Sequence, residues 1–197
     1  MSTKSDTKLR IVDSTWKLFN EMSPKSPTLG EIAKEAGVSR QAVYLQFDNR
    51  AALLTETIRI MREKVGTTAR MKAAREVEPE LVLSSWVCKL FEVYEEILPM
   101  GETYMAIAHA DEAGKQGWGV FVASVRRSAA FVIERFDSLG MLQSKWTVET
   151  ATDWLYTKID FAVWHLIVHE LGWSREQAVL RTVESLEADL LVIPESD

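Results

Sequence analysis

Apolar residues recur at spacings of three and four along almost the whole chain, and no stretch alternates apolar and polar residues for long. The first spacing is that of one face of an α-helix, whereas a half-buried strand would alternate at every second residue. Near the N-terminus, Ile11, Leu18, Phe19 and Met22 share one helical face, and the helix should end before Pro24. The pattern predicts an all-α fold.

The composition limits the class of protein. The chain has 197 residues, of which 47% are hydrophobic and 26% are charged, enough for a substantial core. Residues 1–13 are polar, and charges interrupt each later apolar run well short of the ~18 residues that a membrane-spanning helix needs. We therefore expect no membrane partner. The single Cys88 excludes an internal disulfide and fits a cytoplasmic location.

Charge is distributed unevenly along the chain. Residues 1–75 contain fourteen Lys/Arg and eight Asp/Glu, a balance of +6, which leaves −12 for residues 76–197 out of the net −6. The basic N-terminal part could therefore bind phosphate groups although the whole chain is acidic.

Two short helices are predicted between residues 28 and 47. Thr28 and Glu31 have the spacing of a capping box at the start of the first helix. Gly37 can adopt the left-handed conformation that ends it. Ser39 is the expected N-cap of the second helix, which should run to about Phe47.

The second of these helices has two different edges. At 100° per residue, Val43 and Phe47 point towards the preceding helices, which leaves Arg40, Gln41 and Tyr44 projecting outward. In the major groove of DNA, Arg can read guanine, Gln can read adenine and a Tyr hydroxyl can hold a phosphate. Short polar helices also occur on many proteins that never touch DNA, so an incidental helix-turn-helix in a scaffold or an enzyme is the alternative.

Residues 11–54 resemble the DNA-binding domain of the TetR (tetracycline repressor) family of bacterial regulators. The matching positions are Ile11, Leu18, Phe19, Thr28, Ile32, Ala33, Ala36, Gly37, Val38, Ser39, Val43, Tyr44, Phe47, Leu53 and Leu54. The family implies an all-helical homodimer that binds double-stranded DNA, usually a repressor released from a pseudo-palindromic operator by a small ligand.

The resemblance also implies roles for individual residues of a DNA-binding set. It places Arg40, Gln41, Ala42 and Gln46 towards bases. It places Thr28, Tyr44 and Arg50 towards phosphates, and the set includes the capping Ser39. Gln46 stands where many members carry His, Arg50 stands where Lys is usual, and a proline-containing link replaces the common glycine-containing one.

The rest of the chain predicts a larger helical body. We expect a DNA-binding domain at 1–50 with a connecting helix to about 75, and a ligand-binding and dimerisation domain at 76–197. Further helices are expected at 80–98, 102–111, 116–139, 148–171 and 175–193, which gives about nine in all.

Two sets of residues are candidates for a ligand pocket and a dimer interface. The aromatic residues that could line an effector pocket, or simply fill the core, are Trp86, Tyr94, Tyr104, Trp118, Phe121 and Trp154. The apolar residues that could form a seam between subunits, or an intramolecular stripe, are Val163, Ile167, Val179, Val183, Leu186 and Leu190.

The sequence carries no strong signal for a metal, a cofactor or catalysis. His165 and His169 are four residues apart, but the His-Glu-x-x-His pattern of zinc enzymes is missing. Glycine-rich phosphate loops and Gly-x-Ser-x-Gly turns are also missing. We therefore predict a regulator with no enzymatic activity, no cofactor and no metal site.

Overall fold

The computed structural model describes residues 4–192, and these residues are almost entirely helical. Within them the only strand-like pairing is a single antiparallel bridge between Leu142 and Leu191. The all-α prediction is confirmed. The helices are α1 (Lys4–Met22), α2 (Leu29–Glu35), α3 (Arg40–Gln46), α4 (Arg50–Lys64), α5 (Thr67–Arg75), α6 (Pro79–Glu96), α7 (Leu98–Ala108), α8 (Glu112–Ser138), α9 (Val148–Ile159), α10 (Phe161–His165) and α11 (Arg175–Leu190), with a π-helical turn at Leu166–Glu170.

Two predicted helices are each divided in the structure. The segment expected to run to about residue 75 breaks at Gly66, whose φ of 69° ends α4. The segment predicted at 148–171 breaks at Asp160, whose carboxylate accepts a hydrogen bond from the amide of Ala162 at 2.9 Å. These breaks account for the additional helices. The predicted end at residue 193 lies outside the described residues.

The chain divides into two compact units, the first formed by residues up to Gly66 together with Glu96–Val122. In this unit α1 packs against α2, α3, α4 and α7. Its core contains Ile11, Val12, Leu18, Ile32, Ala33, Ala36, Val43, Phe47, Leu53 and Ile60. The DNA-binding candidates therefore lie on helices that share one apolar core. The predicted boundaries at residues 50 and 75 stay a prediction.

The second unit contains Thr67–Glu95 and the chain from Ala123 onward. Its core is aromatic: the rings of Tyr94 and Trp164 lie 5.4 Å apart, and those of Tyr94 and Phe161 lie 5.2 Å apart. The buried hydroxyl of Tyr94 donates to the carbonyl of Ile159 at 2.9 Å. α9 packs against α10 and α11.

Candidate nucleic-acid interface

The α2–turn–α3 segment is fixed by side chains that cap each helix. The Thr28 hydroxyl accepts a hydrogen bond from the amide of Glu31 at 3.2 Å, while the Glu31 carboxylate accepts from the amide of Thr28 at 2.7 Å. Ser39 caps α3, because its hydroxyl accepts from the amide of Ala42 at 3.1 Å. The predicted capping box and the second N-cap are both confirmed.

Gly37 joins the two helices. Its φ is 63°, in the left-handed region that glycine adopts without steric cost. The following amide of Val38 donates to the carbonyl of Ala33 at 3.0 Å and so closes the end of α2. The local sequence therefore determines the angle at which α3 leaves α2.

α3 presents one buried and one exposed edge, as its helical spacing predicts. Val43 is 2% exposed and Phe47, which follows the helix, is 5% exposed, and both belong to the core of the first unit. Arg40 and Gln41 are exposed, and Tyr44 is 49% exposed. Three hydrogen-bonding side chains thus project from a helix that is anchored through its opposite edge.

The remaining candidates on this surface are less open. Ala42 and Gln46 are partly buried, whereas Thr28 and Ser39 are exposed but already cap helices. Among the described residues, Arg40 has no ion-pair partner, so its guanidinium donors are available to an anion. The DNA contacts of all these residues stay predictions.

Arg50 differs from Arg40 because it already has partners within the first unit. It follows Asn49, which caps α4 by accepting from the amide of Ala52 at 2.9 Å. The Nη1 group of Arg50 donates to the carboxylate of Asp111, and Nη2 donates to the hydroxyl of Ser26 at 2.6 Å. A phosphate would have to replace or join these partners.

Asp111 also lies on this surface, beside Arg50, a position that the sequence did not predict. Its carboxylate accepts from the amide of Gly114 at 2.6 Å and thereby caps the start of α8. Although burial favours protonation, the hydrogen bonds from Gly114 and Arg50 hold the pKa of Asp111 below its ordinary value. The signal was an Asp directly before a helix, but its pairing with Arg50 spans 61 residues of sequence.

The structure brings together three of the six residues predicted for an effector pocket. Tyr104, Trp118 and Phe121 line a small cavity with Ile58, Ile97, Met100 and Gly101. The cavity encloses about 10 Å³, room for about one water molecule. The hydroxyl of Tyr104 donates to the carbonyl of Leu54 at 2.8 Å, so the lining presents an almost wholly apolar surface.

The other three aromatic candidates lie elsewhere. Trp86 and Tyr94 are buried in the core of the second unit, and the indole of Trp86 donates to the hydroxyl of Ser128 at 3.0 Å. Trp154 is at the surface, where its ring stacks on Trp146 at 5.9 Å. The burial of Trp86 and Tyr94 fits the alternative interpretation, in which these residues simply fill the core.

The dimer candidates also divide. Val183, Leu186 and Leu190 are buried within the second unit, as the intramolecular-stripe alternative described. Val163, Ile167 and Val179 keep part of their surface exposed. Leu166 and Leu180, which adjoin Ile167 and Val179 in the sequence and were not predicted as interface residues, are 43% and 54% exposed.

The residues considered for metal binding or reactivity form no larger cluster. The rings of His165 and His169 are 5.2 Å apart, and a carboxylate oxygen of Glu170 lies 3.7 Å from Nδ1 of His165. Within residues 4–192 no group of three or more His, Cys, Asp or Glu could hold a metal ion. Burial raises the pKa of the Cys88 thiol.

Within residues 4–192, no helix is long and apolar enough to cross a bilayer.

Comparison with known proteins identifies the N-terminal part of the chain. Residues 11–57 match the model of the bacterial regulatory proteins of the tetR family. A helix-turn-helix transcriptional regulator of Mycobacterium tuberculosis is 40% identical over 70 residues, 36% of this chain. The aligned part spans 35% of that relative's own length.

Solved structures share the fold over nearly the whole chain. FadR from Bacillus subtilis, in complex with stearoyl-CoA, has a TM-score of 0.68 at 18% identity and covers 91% of this chain and 97% of its own. NalD from Pseudomonas aeruginosa, the secondary repressor of a multidrug efflux pump, has a TM-score of 0.67 at 19% identity and covers 95% and 97%. Residues 11–57 therefore match the tetR family in sequence, and the chain shares the fold of FadR and NalD over nearly its whole length.

Proposed function

We propose that the protein is a ligand-released repressor that binds a pseudo-palindromic operator as a homodimer through α3. The observation that carries the proposal is the arrangement of α3, with Arg40, Gln41 and Tyr44 exposed on a capped helix whose opposite edge is buried. The match of residues 11–57 to the tetR family supports it, and a location in the cytoplasm, with the chromosome, follows from the proposal.

Each exposed side chain of α3 suits a different group of the duplex. The planar fork of Arg40 matches O6 and N7 of guanine, and the amide of Gln41 matches N6 and N7 of adenine. The hydroxyls of Tyr44 and Thr28 suit phosphate oxygens, which set the position of the helix without reading sequence. Arg50 would add a phosphate contact when its bond to Asp111 opens.

Dimerisation is proposed through the exposed apolar residues of the second unit. Val163, Leu166, Ile167, Val179 and Leu180 all keep surface that a second copy could bury. Two recognition helices related by a two-fold axis would then lie ~34–36 Å apart, one turn of DNA. Light scattering after size exclusion should give twice the chain mass of 22.3 kDa. A monomeric mass at micromolar concentration would contradict the proposal.

Release by an effector is the second part of the proposal. Two proteins of the same fold have properties of this kind: NalD is a repressor, and FadR was solved in complex with stearoyl-CoA. In this chain the cavity beside Tyr104, Trp118 and Phe121 would have to enlarge to hold a ligand, and its lining favours an apolar one. The effector would act by stabilising an arrangement that binds the operator poorly.

The proposed function is tested by selecting bound fragments from sheared genomic DNA and then measuring their affinity against salt. We expect a steep negative dependence on salt concentration. Tyr44→Phe should weaken binding to all fragments about equally, whereas Arg40→Ala should also relax sequence preference. Arg181→Ala removes an exposed arginine of the second unit and serves as the control.

Two outcomes would contradict the proposed function. If no fragment is retained above random DNA by a correctly folded protein, the motif is incidental and the chain is a helical scaffold. If Arg181→Ala lowers affinity as much as Arg40→Ala does, the binding is a general effect of charge and α3 does not read the sequence.

A further inference from the structure

Leu45 is the most exposed large hydrophobic side chain among the described residues, at 71%. The two other large apolar residues of this segment, Val43 and Phe47, are 2% and 5% exposed. A single exposed leucine is common on protein surfaces and needs no explanation by itself. What distinguishes Leu45 is its place on the outward edge of the recognition helix.

The helical geometry puts Leu45 beside the residue proposed to read adenine. It follows Gln41 by four residues, so the two side chains lie about 40° apart around the helix axis and one turn apart along it. Tyr44, proposed as a phosphate contact, precedes Leu45 directly. Leu45 thus continues the base-reading edge of α3 in the direction of its C-terminus.

The major groove offers a leucine a single specific partner. The other base-edge groups of that groove, which are the purine N7 atoms, the O6 and O4 carbonyls and the two amino groups, donate or accept hydrogen bonds, which a leucine side chain cannot do. The C5-methyl group of thymine is the apolar feature of the groove, and apolar side chains recognise it by contact. The sugar-phosphate backbone is charged and hydrated and gives an aliphatic side chain no comparable partner.

We propose that Leu45 is a specificity-determining residue that packs on the C5-methyl group of a thymine in each half of the operator, next to the base pair read by Gln41. The inference rests on the proposed DNA-binding function of α3. It adds a second readout, based on apolar contact, to the hydrogen bonds of Arg40 and Gln41. It also predicts that part of the operator preference is independent of hydrogen bonding.

The test replaces single thymines by deoxyuridine in a selected genomic fragment, which removes the methyl group and keeps base pairing. With the full-length protein, one thymine position in each half-site should lower the affinity roughly fourfold when replaced, the change expected for the burial of one methyl-sized group. Leu45→Ala should bind the unmodified fragment with a similarly reduced affinity. At that position, Leu45→Ala should also be insensitive to deoxyuridine.

Leu81→Ala is the matched control, because Leu81 is 55% exposed on α6 and lies outside the recognition helix. It should keep the wild-type sensitivity to deoxyuridine. Circular dichroism should show unchanged helix content for Leu45→Ala, since this side chain contributes little to the core.

The outcomes separate this inference from the proposed function. Specific binding that no thymine replacement affects, or a sensitivity that survives unchanged in Leu45→Ala, would overturn the role of Leu45 and leave the DNA-binding proposal intact. A folded protein that selects no DNA would overturn both.

Discussion

Two glycines in α8 make opposite predictions when each is replaced by alanine. A Cβ atom added to Gly114 would lie 2.3 Å from the carbonyl oxygen of Ile107 and 2.6 Å from its carbonyl carbon. These are backbone atoms at the end of α7, so no side-chain rotation relieves the clash. At Gly119, in the same helix, an added Cβ would meet nothing within 4 Å.

The magnitudes follow from these surroundings. Gly119→Ala removes backbone entropy from the unfolded chain and should raise the free energy of unfolding by about 0.5–1 kcal/mol. Gly114→Ala gains part of the same entropic stabilisation, but forcing α8 away from α7 costs ~1–3 kcal/mol. It also disturbs the hydrogen bond from the Gly114 amide to Asp111. We expect a net loss of about 2 kcal/mol.

The assay is urea unfolding followed by circular dichroism, at one protein concentration for all variants because dimer formation would add to stability. The midpoint for Gly119→Ala should move to higher urea and that for Gly114→Ala to lower urea. If both variants shift in the same direction by similar amounts, α8 does not begin against α7 as the structure has it.

Two further predictions concern charged groups of the first unit. Hydrogen bonds from Arg59 hold the pKa of Glu56 at about 2, against 4.5 ordinarily, so its ionised form stabilises the fold above pH 4.5 and that stabilisation is lost as the pH falls towards 2. Glu56→Gln should therefore lose less unfolding free energy than the wild type between pH 4.5 and 2. An unchanged dependence of the unfolding free energy on pH would contradict the pairing of Glu56 with Arg59. Asp111→Asn keeps a side chain that can cap α8 but removes the charge that holds Arg50, which leaves Arg50 free to bind phosphate. The affinity for a selected DNA fragment, measured by fluorescence anisotropy, should therefore rise by up to about fivefold, the equivalent of one surface ion pair. Glu112→Gln, which removes a neighbouring carboxylate that does not bind Arg50, is the control, and an equal effect of both variants would refute the competition.

The recognition helix could be predicted because its determinants are local. Caps at Thr28 and Ser39, a left-handed Gly37 and an apolar edge at Val43 and Phe47 all act within twenty residues of one another. Such signals depend on backbone geometry and helical periodicity, which the sequence expresses directly.

Other features depend on contacts between distant parts of the chain. Nothing near Arg50 in sequence indicates that Asp111 will hold its guanidinium. An apolar stripe such as Val183, Leu186 and Leu190 indicates a buried face but not whether the same subunit or a second copy covers it. The sequence also does not show which core an aromatic residue joins. Trp86 and Tyr104 both lie in predicted helices, but Trp86 is buried in the second unit and Tyr104 in the first.

The most direct test of the central claim, that the outward edge of α3 enters the major groove, is dimethyl sulfate footprinting on a selected genomic fragment. This reagent methylates N7 of guanine, which lies in the major groove. The wild-type protein should protect guanines in two clusters about one helical turn apart, and Arg40→Ala should lose protection within those clusters. Bound DNA whose guanine N7 atoms stay fully reactive would contradict the account.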